Sequence, residues 1–400
     1  MIGANELINA LFPRGLPTPQ AIDSAALAEV ATPALAIAAI RDWIISGEPV
    51  TSQRTVVALA AGDLLVMPAE SSRYVGIKLA TVAPANPARG LDRIQAVYQL
   101  FSADSLTPLA CFDANAITAL RTGAVSAVAI DALASLNAGR LVVFGTSIQA
   151  ESHVVCMAEV RTLTDVVIAG RNPVRAAALA ARLRARGLPA RWSLTASAAQ
   201  AANPPEPGWG GAVGEDRWVE AERNPAASDS PGAALPAAGP AEPPGFAGTS
   251  AEGAAALDGL AAADQWFAPL PAVLGEAELV ATCTSSGRAL FAAEALAPHV
   301  AVAAVGSHTA DARELPGAAL VGARLVVEDR DAAWREYGDL ILARDEGLIS
   351  EADIAGDLAE CVRDHWGPSP GRTIFKSAGM GWEDLAVAQR LFEEIRGDLG

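Results

Sequence analysis

The chain has 400 residues, 51% of them hydrophobic, which is enough for two ordinary hydrophobic cores. Its formal net charge of -17 at pH 7 argues against nucleic acid and anionic membrane surfaces as partners, because both would repel the chain. Small anions can still bind where cations cluster locally.

Residues 1–125 combine short helices with strand-like runs, a mixture typical of an α+β domain. Strands are predicted over residues 55–60, 63–67, 75–82, 96–101 and 108–112. Three basic residues interrupt the apolar segments of this region. Arg54 precedes the first strand, Lys78 lies inside the third, and Arg121 lies on an apolar run with helical spacing.

Lys78 and Arg121 stand on apolar backgrounds, where a charge must be paired or must face a cleft. Arginine holds a carboxylate with a planar fork, while lysine supplies a point charge that polarises a carbonyl or an imine. Together with Arg54 they predict a site for a small carboxylate-bearing substrate. The alternative for each residue alone is a structural ion pair or a surface cation.

From about residue 140 the pattern alternates strands and helices, which predicts βαβ units and a parallel sheet. Strands are predicted over residues 141–144, 165–168, 280–283 and 300–305, and helices over residues 148–160 and 173–186. An amphipathic helix predicted over residues 382–397 is expected to return to the first domain. The predicted fold class is therefore α/β, a Rossmann-type parallel-sheet nucleotide domain beside an α+β substrate and dimerisation domain.

The turn after the first strand of the parallel sheet is the candidate pyrophosphate site. It reads Gly145-Thr-Ser-Ile-Gln, where Ser147 replaces the second glycine of the usual dinucleotide fingerprint. Serine is small and its hydroxyl can contact phosphate at a helix amino terminus, so Gly145 and Ser147 are candidates to bind the cofactor. Taken alone, the motif also fits an ordinary turn.

The end of the second strand carries no acid for the ribose hydroxyls of NAD. Arg171 and Asn172 stand there instead, and an arginine suits the 2′-phosphate of NADP. These residues favour NADP(H) over NAD(H) as the cofactor. The alternative for Arg171 is a solvated cation at the entry of a helix.

The composition changes sharply between residues 200 and 265. These 66 positions hold 9 Pro and 10 Gly, and ten acids against two arginines. Such a composition predicts a disordered low-complexity insertion, placed over residues 200–268 inside the nucleotide domain. The alternative is that its few aromatic residues dock on the parent domain or on a partner.

Several segments, in order from about residue 54 to residue 392, resemble the ornithine cyclodeaminase/mu-crystallin family. They include Met67-Pro-Ala, Gly-Ile-Lys78, Leu-Arg121-Thr-Gly-Ala-Val-Ser, Val305-Gly-Ser-His-Thr-Ala-Asp-Ala-Arg-Glu-Leu, and Phe-Lys-Ser377-Ala-Gly with Glu383-Asp384. The resemblance implies a substrate and dimerisation domain over residues 1–125, completed by residues 380–400, and a nucleotide domain over residues 126–379. It also implies a homodimer formed through sheet packing of the first domain.

The resemblance also implies roles for individual residues. Arg54, Met67, Lys78 and Arg121 would contact the substrate, with Lys78 catalytic. Family members carry a Gly-x-Gly-x-Gln-x-x-x-His run after the first strand of the parallel sheet, and this chain keeps its Gln149 and His153. The cofactor residues that the resemblance adds are Ile148, Gln149, Arg121, Thr122, Thr282, Thr284, Val305 and Ser377.

Two residues of the loop after residue 305 compete for the role of proton donor. His308 stands where ornithine-deaminating members carry an aspartate, and a histidine pKa near ~6.5 suits protonation of an imine nitrogen. Asp311 is the rival candidate, and its alternative role is to cap the loop.

These observations predict an NAD(P)H-dependent oxidoreductase that reduces a small imino or 2-oxo acid, or oxidises an amino acid at Cα. A cyclodeaminase is disfavoured by His308 and by Leu65, where ornithine-acting members carry an acid. A non-catalytic NADPH-dependent binding protein, similar to mu-crystallin, is the second alternative.

The remaining signals concern location and metals. The four cysteines form no Cys-x-x-Cys pair, and the four histidines have no metal-ligand spacing, so no metal site is predicted. No signal peptide and no apolar run near the ~20 residues of a membrane span are expected. A cytoplasmic protein without membrane contact is therefore predicted.

Overall fold

The first sheet, which carries Lys78, has six strands in the order β1-β6-β5-β4-β3-β2 in this computed structural model, which describes residues 19–49, 54–195 and 267–397. The strands are β1 (Gln20–Ile22), β2 (Thr55–Leu59), β3 (Gly62–Glu70), β4 (Tyr74–Val82), β5 (Ile94–Ser102) and β6 (Pro108–Asp113). β1 pairs with β6 in parallel, and the other neighbours are antiparallel. The five strands predicted between residues 55 and 112 are confirmed.

The second sheet has eight parallel strands in the order β13-β12-β14-β11-β10-β7-β8-β9. They are β7 (Arg140–Phe144), β8 (Asp165–Gly170), β9 (Ala190–Leu194), β10 (Leu279–Thr282), β11 (Ala301–Ala304), β12 (Arg324–Val327), β13 (Ile354–Asp357) and β14 (Thr373–Lys376). The chain runs from β7 outward to β9, then returns to β10 on the other side of β7. This reversal is the switch point at which open parallel sheets bind ligands, and it confirms the predicted Rossmann-type sheet.

The described residues also form eleven α-helices. They are α1 (Ser24–Val30), α2 (Pro33–Ser46), α3 (Ala114–Leu133), α4 (Ile148–Val160), α5 (Pro173–Ala185), α6 (Leu270–Glu276), α7 (Gly317–Leu320), α8 (Arg330–Glu336), α9 (Gly338–Asp345), α10 (Leu358–Arg363) and α11 (Gly381–Arg396). The predicted helices near residues 148, 173 and 382 are confirmed as α4, α5 and α11.

Helix α11 returns to the first sheet and covers one of its faces. It packs on β3 and β4 and against α2 and α3. Its apolar stripe includes Leu385, Leu391 and Phe392, all buried, and the ring of Trp382 lies 6.0 Å from that of Trp43 on α2. The position of this helix decides what surrounds Lys78, as described below.

Helix α3 contacts strands of both sheets, β5 and β6 on one side and β11 and β14 on the other. The predicted domain boundary after residue 125 falls inside this helix, and the division of the chain into two domains stays a prediction. Contrary to expectation, α3 is long and apolar enough to cross a membrane, but 72% of its most apolar window is buried inside the protein. It has the surroundings of a core helix.

The predicted insertion over residues 200–268 lies almost entirely outside the described residues. Its last two positions are an exception, and the prediction placed the boundary too late. Phe267 forms a parallel bridge with Trp192 on β9, and the backbone N–H of Ala268 donates to the carbonyl of Trp192 over 2.9 Å. The described chain thus resumes at the edge of the parallel sheet.

Candidate active site

Lys78 and Arg121 share one buried carboxylate. Nζ of Lys78 donates to Oδ2 of Asp384 over 2.7 Å, and Nε of Arg121 donates to Oδ1 of the same residue over 3.2 Å. All three side chains are buried, and that of Asp384 has no exposed surface. The structure therefore brings two of the three predicted substrate cations together through a residue outside the predicted site.

The strand register explains why Lys78 points to α11. Burial alternates along β4, and Lys78 faces the same side as Gly76 and Ala80. Its neighbours across the sheet are Met67 on β3 and Tyr98 on β5, both buried. Met67, a predicted substrate residue, thus lies directly beside the lysine.

The carboxylates opposite Lys78 and Arg121 come from the first turn of α11, where the helix dipole favours negative charge. Glu383, next to Asp384, accepts a hydrogen bond from Nη1 of Arg121 and is fully buried. Both acids stand in the first turn of a helix, where acids are usually solvated. Their burial is the feature that sequence reasoning missed.

Arg54, the third predicted cation, is held by an ion pair and by backbone. Its Nη2 lies 2.5 Å from Oε2 of Glu336 and donates to the carbonyl of Gly379 over 3.2 Å. All three cations thus have carboxylate partners. This is what the alternative of a structural ion pair predicts for each residue alone. The side chain of Arg54 keeps 14% of its surface exposed, against 6% for Arg121. Of the two arginines, Arg54 is therefore the more open to a ligand.

Burial lowers the pKa of Lys78 from 10.5 to about 8. Asp384 opposes this shift because it stabilises the charged ammonium, whereas the positive charges of Arg121 and Arg54 reinforce it. A lysine that titrates close to neutral pH can polarise a carbon–nitrogen double bond in its charged form.

The loop after β11 carries both proton-donor candidates, and both are exposed. Nδ1 of His308 lies 3.2 Å from the carbonyl oxygen of Gly306. Desolvation lowers the pKa of His308 below 6.5, and the charges of Arg54 and Lys376 lower it further. The carboxylate of Asp311 accepts a hydrogen bond from the hydroxyl of Thr309, two residues earlier in the same loop, over 2.7 Å.

A buried glutamate ties together the carboxyl ends of β10 and β11. Glu314 accepts hydrogen bonds from the hydroxyls of Thr282 and Thr284 over 2.8 and 2.7 Å, and from the backbone N–H of Gly306 over 2.7 Å. Burial raises the pKa of Glu314. Two predicted cofactor residues are thus bonded to a carboxylate that was not predicted, and Thr282 has no exposed surface.

The turn after β7 requires a glycine at its first position. Gly145 has a φ of 128°, and a Cβ at this position would lie 2.7 Å from the carbonyl oxygen of Cys283. Ser147 precedes α4, and its side chain makes no capping hydrogen bond. Ile148 is 64% exposed at the first position of the helix. Both side chains are free to face a ligand at the switch point.

Thr118 on α3 connects this turn with the cation cluster. Its hydroxyl accepts from Nζ of Lys78 over 3.4 Å, and its carbonyl accepts from Nε2 of Gln149 over 3.4 Å. Oε1 of Gln149 is buried without a hydrogen-bond partner among the described residues. One residue, Thr118, therefore contacts both Lys78, a candidate substrate residue, and Gln149, a candidate cofactor residue.

The other predicted cofactor residues are spread along the carboxyl edge of the sheet. Arg171 and Asn172 are exposed beyond β8, where the Asn172 side chain caps α5. Val305 is half-buried beyond β11, and Oγ of Ser377 accepts from the backbone N–H of Gly379 over 3.2 Å. Thr122 donates to the carbonyl of Thr118 over 2.7 Å. Their roles stay predictions.

The family model described as the ornithine cyclodeaminase/mu-crystallin family matches residues 29–203 and 271–398. The chain is similar to a Delta(1)-pyrroline-2-carboxylate reductase of Bacillus cereus, with 27% identity over 339 residues, or 82% of this chain and 81% of the relative.

Two solved structures share the fold. One is the Thermococcus litoralis Delta(1)-pyrroline-2-carboxylate reductase in complex with NADH and L-proline, with a TM-score of 0.73 at 20% identity, covering 95% of this chain and 98% of that one. The other is an archaeal alanine dehydrogenase dimer with bound NAD, with a TM-score of 0.72 at 20% identity, covering 95% of this chain and 97% of that one. At these identities the likeness concerns the fold alone.

Proposed function

This chain belongs to the ornithine cyclodeaminase/mu-crystallin family, and from that premise we propose that it is an NAD(P)H-dependent oxidoreductase acting at Cα of a small imino, 2-oxo or amino acid. Reduction of a carbon–nitrogen double bond beside a carboxylate is the reaction that the site supports best. The Bacillus cereus relative is a pyrroline-2-carboxylate reductase, which supports a cyclic imino acid as the substrate class.

The observation that carries this proposal is the double contact of Thr118, which joins Lys78 to the turn after β7 through Gln149. Hydride transfer needs the reacting atoms about 3–3.5 Å apart, so the substrate must lie beside the nicotinamide of a dinucleotide whose pyrophosphate meets the turn after β7. The contacts of Thr118 support this arrangement because they link Lys78 to that turn.

The described residues fit a dinucleotide at the switch point. Gly145, Ser147, Ile148 and Gln149 would hold it, and the buried Oε1 of Gln149 and the uncommitted hydroxyl of Ser147 offer polar groups for it. When bound, the dinucleotide supplies the hydride.

The protein supplies charge and orientation. The Lys78 ammonium polarises the carbon–nitrogen bond, Arg54 and Arg121 orient the carboxylate, and His308 or Asp311 gives a proton to the nitrogen. Arg54 influences the pKa of both Lys78 and His308, which supports a common site for them. A polarised carbon–nitrogen bond accepts a hydride at carbon more readily because negative charge develops on nitrogen.

The cofactor is NAD(P)(H), with NADPH preferred in this proposal. Arg171 is exposed directly beyond β8, where an acid would otherwise meet the ribose hydroxyls of NAD. An exposed guanidinium can form a bidentate contact with the 2′-phosphate of NADPH.

A homodimer through the outer face of the first sheet completes the proposal. The face opposite Lys78 exposes Val57, Leu59, Leu79 and Val97, each between 37% and 52% exposed. A contiguous apolar sheet face of this kind is typical of an interface, and the archaeal alanine dehydrogenase of the same fold is a dimer.

The four cysteines are free thiols, which supports a reducing cytoplasmic setting.

A steady-state screen tests the function. Cyclic imino acids, and 2-oxo acids with ammonia or methylamine, are offered with NADPH or NADH, and consumption of the reduced cofactor is followed. Turnover of at least one cyclic imino acid is expected. NADPH binding with no turnover of any compound would favour the binding-protein alternative.

A further inference from the structure

We infer that Asp384 is a positioning residue for the proposed reaction: its carboxylate holds the Lys78 ammonium charged and fixed in place, and locks Arg121 beside it. The inference rests on the proposed function for its catalytic meaning. The pairing itself rests on geometry alone.

The carboxylate of Asp384 uses its two oxygens for two different cations. Oδ2 lies 2.7 Å from Nζ of Lys78, and Oδ1 lies 3.2 Å from Nε of Arg121. One rigid group therefore sets the spacing between the lysine and the arginine. Thr118, at 3.4 Å, is the other hydrogen-bond partner of the ammonium.

The charges that act on Lys78 come from three parts of the chain packed around it. Helix α3 contributes Arg121, the segment before β2 contributes Arg54, and helix α11 contributes Asp384. Two of these three groups are cations, and both disfavour a charged lysine. Asp384 is the group that favours it.

The remaining titratable groups nearby do not replace Asp384. Glu383, on the same turn of α11 as Asp384, pairs with Arg121 of α3. Tyr98 lies across the sheet from Lys78, and burial holds its pKa well above 10, so it stays neutral. Loss of the Asp384 charge would leave the ammonium buried among cations, and its pKa would fall below about 8.

The first experiment measures the pH dependence of kcat/KM for reduction of a cyclic imino acid. An alkaline limb set by Lys78 is expected in the parent protein. In Asp384→Asn this limb should move down by at least about one pH unit, which is a ~tenfold loss of kcat/KM at alkaline pH. Glu383→Gln is the matched control, because it removes a buried carboxylate from the same turn without touching Lys78. Its limb should stay in place.

Asp384→Glu tests position separately from charge. It keeps the charge but moves the carboxylate, so the limb should stay while kcat falls at least ~tenfold, since a shift of about 1 Å is costly for catalysis. A parent-like kcat in this variant would overturn the positioning role. An unmoved limb in Asp384→Asn, or an equal shift in Glu383→Gln, would overturn the charge role.

A measurement without turnover separates this inference from the proposed function. Unfolding free energies of the parent, Lys78→Met, Asp384→Asn and the double variant give the coupling between the two residues. The coupling at about pH 7 should at least halve at about pH 9.5, where Lys78 is neutral. An inactive parent with this pH-dependent coupling would refute the proposed function alone. A coupling that does not change with pH would refute the pairing inference.

Discussion

Gly379 lies directly against the guanidinium of Arg121. Its φ of 78° is in the left-handed region, and a Cβ built on it would overlap Nη1 of the arginine. The backbone N–H of Gly379 donates to Glu328 over 3.1 Å, and its carbonyl accepts from Arg54 over 3.2 Å. One glycine thus lies between Arg54 and Arg121, the two arginines proposed to hold the substrate carboxylate and called the clamp below.

Gly379→Ala is expected to weaken substrate binding more than cofactor binding. The methyl group must displace Arg121, and alanine at positive φ costs about 1 kcal/mol or more of stability. We expect a KM increase of at least ~tenfold, equivalent to ~1.4 kcal/mol, with little change in the NADPH dissociation constant. Gly322→Ala, at a φ of 68° with open space around it, controls for backbone strain alone. A similar KM increase in both variants would contradict the clamp.

Lys78→Met should remove catalysis while largely sparing NADPH binding. The methionine fills the buried site without a charge, so the carbon–nitrogen bond is no longer polarised. A loss of kcat/KM of at least ~10³-fold, or about 4 kcal/mol, is expected. Steady-state kinetics and a fluorescence titration with NADPH measure the two effects, and a variant with parent-like kcat would exclude Lys78 from the chemistry.

Arg54→Lys should mainly raise KM, because an ammonium cannot replace the planar fork of a guanidinium towards a carboxylate. The substitution keeps the positive charge beside Glu336. Parent-like KM with reduced kcat would show instead that Arg54 acts on the reacting centre.

Arg171→Ala should erase most of a preference for NADPH over NADH, expected to be at least about tenfold in the parent, or ~1.4 kcal/mol. Titration of both nucleotides measures the ratio. Arg182→Ala is the control variant. It also removes one positive charge, but from a residue of α5 that pairs with Glu151, and it should leave the ratio of the NADPH and NADH dissociation constants unchanged. Tighter binding of NADH by the parent protein would contradict the assignment.

His308→Ala and Asp311→Asn distinguish the two proton donors. A histidine donor must be protonated, so the rate falls as pH rises through its pKa, which lies below 6.5 in the folded protein. We expect this limb of the kcat/KM profile to vanish in His308→Ala and to persist in Asp311→Asn. Unchanged rate and profile in His308→Ala would pass the role to Asp311 or to water.

Much of the fold follows from sequence patterns. Strands such as β4 alternate in burial or carry long apolar runs, and Gly145 marks the turn between a buried strand and a helix. Strands β12, β13 and β14 were not predicted because their apolar runs are only two or three residues long, whereas β11, which also has four residues, lies inside the apolar run over residues 300–305. Strand β9 was not predicted either, because Arg191 interrupts its apolar run.

Only part of the candidate site could be predicted from the sequence. Cations on apolar backgrounds, such as Lys78 and Arg121, are conspicuous, because a buried charge needs a partner. Their partners are not conspicuous, since Glu383 and Asp384 resemble ordinary first-turn acids of a helix. Glu314 is hidden in the same way, within a polar loop. Only the packing of α11 and of the loop shows that these acids are buried.

Lys78 and Asp384 are 306 positions apart in the chain. During synthesis, every strand of both sheets is made before the first turn of α11 exists. A chain cut before Gly381 would therefore contain the lysine, both arginines and the nucleotide turn, yet lack the two acids that pair with Lys78 and Arg121. The ion pairs of Lys78 and Arg121 with these acids can therefore form only after α11 has been translated and has docked on the first sheet.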